Sequence, residues 1–363
     1  MKSLSAVFLV VVVLSIICHA QDATKTTDEA GRLIRNGDTA GAIAVLDKAI
    51  ERRKDLFEAY RMRAPLRFFN GNIQGAVTDL DRALEIKVEP SLYVQRAEFK
   101  GFLRDLSGAL QDYDSAIANG HRTEKAYNGR AHVKRMSGDF KAAIADYRIA
   151  VGLAPDSAGA NVGLASTLHQ DGDIDAAMAV LQGFLDRYEE TRSGKLPTTK
   201  GEVVAKSDLR RPESNDGVEQ VILTGRSGKQ MNKEEETMNA ALAYANLAQI
   251  QESKSDIDTA MLNVEKSISI NKADGFPVGL RGKIKLGKGE LADAIVDLST
   301  AIRSMPQIPT HYADRGIAFL LQGNDAQAQT DFDKFLQLFP KGSEALTKRI
   351  AEAKEKRLQN SPH

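Results

Sequence analysis

The sequence predicts an all-α fold, a solenoid of about eight helix-turn-helix units closed by a C-terminal capping helix. Three observations predict it. A segment of about 34 residues recurs in phase along the chain, most copies carry a glycine and a polar residue at one fixed place, and small residues recur on both sides of that glycine.

The 363 residues carry 49 Lys plus Arg against 49 Asp plus Glu, so the positive excess that drives phosphate binding is missing and nucleic acid is not an expected partner. With 42% hydrophobic and 27% charged residues and 10 prolines, the composition is that of a folded chain. The single cysteine, Cys18, rules out a disulfide framework and a cysteine-based metal site.

Residues 1–20 read as a secretory signal peptide. Lys2 gives a positive start, Leu4 to Ile17 is a mainly apolar run, and Cys18-His19-Ala20 puts small residues before a cut ahead of Gln21. That run is shorter than the ~20 residues that span a bilayer, so no integral span is expected once the signal is removed. The rival reading lipidates Cys18, although bulky Ile17 precedes it. Without an Asn-x-Ser/Thr acceptor, the chain fits a bacterial export route, periplasmic or secreted.

Five repeats are expected over residues 21–187 and three more over 237–340. AGAIAVLDKAIE, QGAVTDLDRALE, SGALQDYDSAIA, KAAIADYRIAVG, DAAMAVLQGFLD, DTAMLNVEKSIS, ADAIVDLSTAIR and AQAQTDFDKFLQ align on Ala42, Ala76, Ala109, Ala143, Ala177, Ala260, Ala294 and Ala328. Successive anchors stand about 34 residues apart, and only the step from Ala177 to Ala260 is longer, by the length of an insertion. Five residues before the anchor stands Gly37, Gly71, Gly138, Gly172, Gly289 or Gly323, followed by Asp, Asn or Glu. Such a glycine ends one helix and the polar residue caps the next. Ala64, Ala97, Ala131, Ala165, Ala248, Gly282 and Gly316, twelve residues before their anchors, let the paired helices approach to about 8 Å. Leu46, Leu80, Tyr113, Tyr147, Leu181, Val264, Leu298 and Phe332 fill the space toward the next unit.

Residues 188–236 form a polar insertion, partly disordered or a short hairpin, with acidic and basic residues nearly in balance. Gly217 to Thr224 is a candidate strand and Gly225 to Gly228 a turn; Gly228-Lys229 does not make a phosphate loop, because Leu223 and Gln230 stand at required places. Residues 341–363 are a capping helix, Ser343 to Leu358, and a tail, with Lys348, Arg349, Lys354, Lys356 and Arg357 exposed around a thin apolar stripe.

Within Thr123 to Pro155, Tyr127, Arg130-Ala131, Gly138-Asp139-Phe140, Ala143-Ile144, Tyr147, Ala150 and Pro155 resemble the tetratricopeptide repeat family position by position, as do Pro306 and Pro340 in later units. The resemblance covers about four-fifths of the chain after residue 20 and implies a right-handed superhelix. Arg104 and Ser255 depart from the turn glycine, and the tryptophan common in the family is absent.

The resemblance further implies that the first helix of each unit lines a concave groove for a protein or peptide partner. Carried onto this sequence, the groove comprises Arg61, Phe68, Phe69, Val94, Glu98, Phe102, Asn128, His132, Arg135, Val162, Ser166 and His169. Phe68, Phe69 and Phe102 read equally as inter-repeat core. Arg67, Lys100 and Lys134 recur at one position and form either a basic ridge for acidic partners or a solvated face. Thr27, Gly31, Arg61 and Pro65 do not rebuild the carboxylate clamp of the family's chaperone-tail members.

Five arginines each precede an aspartate at one constant spacing: Arg63 and Asp79, Arg96 and Asp112, Arg130 and Asp146, Arg281 and Asp297, Arg315 and Asp331. Where the arginine is missing so is the acid: Glu29 with Val45, Leu164 with Val180, Leu247 with Asn263. Residues equidistant from a turn sit level in an antiparallel hairpin, so each pair is expected to form a structural ion pair with two guanidinium hydrogen bonds.

His121, His132, His169 and His311 lack ligand spacing and the serines lack a nucleophile elbow, so no metal, cofactor or catalytic residue is assigned. The expected function is a non-catalytic, exported protein-interaction scaffold. The alternatives are a lipid-anchored component of a bacterial envelope assembly complex and an envelope glycan- or peptide-modifying enzyme.

Overall fold

Left-handed backbone recurs along the chain at the expected turns. Gly37, Gly71, Gly138, Gly172, Gly289 and Gly323 have φ between 78° and 92°, and Arg104 and Ser255 adopt the same region at 62° and 63° despite their side chains. Each stands between two helices. A computed structural model describes residues 25–193 and 233–359, and all regular structure among them is helical. The signal peptide, Cys18, and the candidate strand and turn at 217–228 lie outside the described residues.

The described residues fall into two units, 25–150 and 151–359. The N-terminal unit holds α1 (25–35), α2 (Thr39–Arg52), α3 (Phe57–Phe69), α4 (Ile73–Ile86), α5 (Pro90–Phe102), α6 (Leu106–Ala118), α7 (Glu124–Met136) and α8 (Phe140–Leu153), whose last residues cross the boundary. The C-terminal unit continues with α9 (Ala158–Asp171), α10 (Ile174–Arg192), α11 (Lys233–Ser253), α12 (Ile257–Ile270), α13 (Gly275–Lys288), α14 (Leu291–Ser304), α15 (Pro309–Leu321), α16 (Asp325–Leu338) and α17 (Ser343–Gln359). Asp38, Asn72, Asp105, Asp139 and Asp173 cap their helices by accepting a backbone N–H three residues on.

Within each unit, consecutive helices pair as hairpins and each hairpin packs on the next. All eight anchor alanines are buried, as are the larger residues four places later. The close approach has a direct measure. A Cβ at Gly282 would come 2.7 Å from Leu298 Cγ, and one at Gly316 would come 2.6 Å from Phe332 Cε1.

The flanks of the expected insertion are helical. α10 runs on to Arg192, held by Tyr244 Oη donating to Glu189 at 2.8 Å, and α11 begins at Lys233. Glu, Lys and Arg are good helix formers, so a polar composition does not mark where these helices stop. α17 buries Leu346 and Ala353 against the eighth hairpin. Two of its basic residues are engaged rather than free: Arg349 meets Asp314 at 2.5 Å, and Arg357 donates to the Leu320 carbonyl at 3.0 Å.

Each of the five arginines grips its aspartate through Nε to Oδ2 and Nη2 to Oδ1: 2.9 and 2.5 Å for Arg63 on Asp79, 2.8 and 2.5 Å for Arg96 on Asp112, and 2.8 and 2.7 Å for the other three. Two further arms complete the node. Arg Nη1 reaches back to the preceding hairpin: to Asp47 from Arg63, to Asp81 and Asp114 at 2.7 Å from Arg96 and Arg130, and to Glu265 and Ser299 at 3.0 Å from Arg281 and Arg315. Four residues after four of the five arginines, a second cation meets the same aspartate, and Phe319 holds that place after Arg315. Arg67 reaches Asp79 at 3.0 Å, and Lys100, Lys134 and Lys285 reach Asp112, Asp146 and Asp297 at 2.8, 2.7 and 2.9 Å.

Arg67, Lys100 and Lys134 are therefore neither a free basic ridge nor a solvated face, because buried carboxylates turn them inward. Burial disfavours the charge on Arg130, but the bonds and charges of Asp146 and Asp114 outweigh it and hold its pKa above the usual value. In the sixth hairpin the node is neutral, with Asn263 donating to Gln251 at 2.8 Å. Gln251 stands at the place of the second cation.

Replacing one partner of this buried node leaves the rest uncompensated. Asp146→Asn, at a side chain only 4% exposed, is expected to cost about 3–5 kcal/mol in urea unfolding, whereas Asp114→Asn at 61% exposure costs under about 1 kcal/mol. Arg104→Gly and Ser255→Gly relieve left-handed strain at residues with a Cβ. Each is expected to raise the unfolding free energy by about 0.5–1 kcal/mol, and unchanged urea midpoints would contradict the strain.

Candidate functional site

α3, α5 and α7 each end two residues before their left-handed turn, with apolar side chains at their ends. In α3 these are Phe68 and Phe69, in α5 Phe102, and in α7 Met136. Phe68 stacks on buried Phe99, with centroids 4.4 Å apart and planes 10° apart, and presents its edge to Phe102 at 5.0 Å and to Phe69 at 5.5 Å. Phe69 is 81% exposed and Phe102 67%. Met136, at the same repeat position, is 37% exposed. Phe99 anchors the cluster in the core while its outer rings face solvent, and contiguous exposed apolar surface of this kind marks interaction sites.

The aromatic trio is therefore part core, part surface: Phe68 packs half-buried against Phe99, while Phe69 and Phe102 do not belong to the core. Met136 was missing from the sequence expectation. Its signal was present, five residues after Ala131 as Phe69 is after Ala64 and Phe102 after Ala97.

The other expected groove residues of the N-terminal unit scatter in environment. Arg61 is tied to Glu58 on its own helix at 2.7 Å, and Glu98 pairs with Lys125 at 3.0 Å. Val94 is a correction. At 3% exposure it is core, packed with Ala97, Tyr113 and Val133, because a short branched side chain at this position stays between α5 and α7. Asn128 is half-buried. His132 lies beside Arg135, with Nδ1 3.3 Å from Nη2, and partial burial followed by that neighbouring charge lowers its pKa. Burial and, secondarily, Glu98 push up the Tyr113 hydroxyl.

In the C-terminal unit, Val162 and Ser166 are half-buried on α9, and His169 Nε2 stands 3.1 Å from Ser253 Oγ on α11. Among the described residues, no three His, Cys, Asp or Glu side chains are grouped to hold a metal ion, and no helix is long and apolar enough to cross a membrane.

Tetratricopeptide repeat models match residues 128–190, 241–274 and 314–342. No curated protein shows significant similarity to the sequence. Among solved structures, a tetratricopeptide repeat protein from Parabacteroides merdae ATCC 43184 shares the fold with a TM-score of 0.59 at 16% identity, over 82% of this chain and 99% of its own. The APC/C hetero-tetramer Cut9-Hcn1 gives 0.57 at 13% identity, over 90% of this chain and 54% of the matched chain. The pilF structure from Pseudomonas aeruginosa gives 0.50 at 13% identity, over 72% and 97%. At these identities the likeness is one of fold alone.

One buried histidine carries a pH dependence. His311 on α15 is 6% exposed and its Nδ1 has no hydrogen-bond partner among the described residues. Burial lowers its pKa, and Asp314 opposes that only in part. With a folded pKa below the unfolded value, the unfolded chain binds more protons, so the stability held above about pH 6.5 is lost as pH falls through that value toward the folded pKa. His311→Asn is expected to flatten the fall in melting temperature between pH 7.5 and 5.5. A curve parallel to the wild type would show that His311 does not contribute.

Proposed function

We propose that this chain is a non-catalytic scaffold that holds an apolar segment of a protein partner on the ridge formed by Phe68, Phe69, Phe102 and Met136. The observation that carries this reading is the exposure of Phe69 and Phe102, at 81% and 67%, within a cluster anchored by Phe99. Aromatic side chains concentrate binding energy at interfaces, and an isolated fold would gain by making them polar. Arg104 beside Phe102 and Arg135 beside Met136 favour a segment with acidic flanks.

Export rests on residues 1–20 alone, through their positive start, apolar run and small-residue cleavage pattern, and a lipid-anchored form rests on Cys18. Both places outside the cytoplasm suit a scaffold without a thiol elsewhere.

The test is affinity capture from the exporting cell with the full-length chain and with Phe69→Ala/Phe102→Ala. Both side chains are exposed, so the double variant is expected to unfold within about 0.5 kcal/mol of the parent while losing the captured protein. Equal recovery of the same protein by both chains would remove the ridge as the binding surface.

A further inference from the structure

Between the eighth hairpin and α17 lies a half-open cleft of about 450 Å³, a volume in the range of small-molecule sites. Pro309, Phe335, Phe339 and Leu346 form apolar walls, and Thr310 and Arg349 supply the polar ones. Phe335 and Phe339 meet edge to face at 5.9 Å, and Phe339 is 46% exposed.

Two independent observations show why this space is open and what it suits. The first is a comparison with the preceding seam of the same chain, one repeat period earlier. There Phe276 stands at the place of Thr310 and His311 at the place of Ala345. His311 fills its seam so closely that a Cβ on Gly279 would come 2.4 Å from its Nε2. Gly342 and Leu346 are likewise smaller than Ile308 and Tyr312, whereas Phe335 and Phe339 replace Ala301 and Met305, so the later seam exchanges filling side chains for aromatic walls around an open space.

The second observation is Arg349 itself. It stands one period after Arg315, at the place of the node arginines. Its counterparts each hold a buried aspartate through two bonds. Arg349 has a single contact, from Nη2 to Asp314 at 2.5 Å, and its Nε and Nη1 make no hydrogen bond among the described residues. Its guanidinium therefore borders an apolar cleft with donors to spare.

We infer that this cleft binds a small amphiphilic carboxylate, with its apolar group against Phe335, Phe339 and Leu346 and its carboxylate on Arg349. A free medium-chain acid and an apolar residue at a peptide's C-terminus present the same chemistry. The site is separate from the aromatic ridge, and neither depends on the other.

The test titrates decanoate into the full-length chain by calorimetry, with decanol and decylamine as controls. Saturable one-to-one binding is expected for decanoate, weakened about tenfold or more for both controls, because the charge-assisted bond is lost. Thr310→Phe places a ring in the cleft beside Phe335 and is expected to abolish binding. Arg349→Gln should weaken binding and Arg349→Lys restore part of it, and Phe69→Ala/Phe102→Ala should bind as the parent does. A tripeptide ending in leucine, with free or amidated terminus, separates the sources: binding of the free form alone assigns a chain end, and binding of decanoate alone assigns a free acid. No saturable binding of either acid, decanol binding equal to decanoate, or undiminished binding by Thr310→Phe would overturn the site.

Discussion

A carboxylate buried between two helices constrains everything around it. Asp146 is shielded almost completely, and it is tolerable only because Arg130 gives it two hydrogen bonds and Lys134 a third contact. That requirement locks the helices of a hairpin in one register, since a shift of a residue would separate the guanidinium from its acceptor. The same arginine extends Nη1 to Asp114, so one node ties three helices rather than two. In a linear stack, stability is the sum of what each hairpin holds and what it shares with its neighbour. The node contributes to both, although its exposed arm is the weaker part.

In three first helices the node also takes up a cation close to the helix end. In α5 Lys100 turns inward to Asp112, and the next turn-facing position belongs to Phe102. In α3 Arg67 does the same and Phe68 and Phe69 follow; in α7 Lys134 does so and Arg135 and Met136 follow. In these three helices one cation is used inside, and Phe69, Phe102 and Met136 are exposed at the helix ends.

The turns within hairpins, the small-residue contacts and the arginine-aspartate pairs were readable because each follows from spacing on a fixed period. The Nη1 arm was missed although Asp47, Asp81, Asp114 and Glu265 stand as far before their arginines, to within one position, as the gripped aspartates stand after them. The relation runs both ways from the arginine. Arg67, Lys100 and Lys134 were misread because periodicity gives a position, not the direction in which a long side chain folds. Val94 fails for the opposite reason: it shares its repeat position with Arg61, and only the longer side chain reaches out of the seam. The helical flanks of the insertion escaped because residues that favour helices also favour solvent.

The neutral hairpins put the node in another light. Leu164, Leu168 and Val180 hold the three places in the fifth hairpin, and Leu247, Gln251 and Asn263 hold them in the sixth. Passing from the ionic set to either of these one residue at a time would strand a charge in the seam at a cost of about 3–5 kcal/mol, a large part of what keeps a typical domain folded. Intermediates on that path are close to unfolding, so the ionic and neutral types sit on separate islands of viable sequence. Copying or exchanging an entire module crosses between them without an unstable ancestor, which makes the module, and not the residue, the natural step by which such an array diversifies.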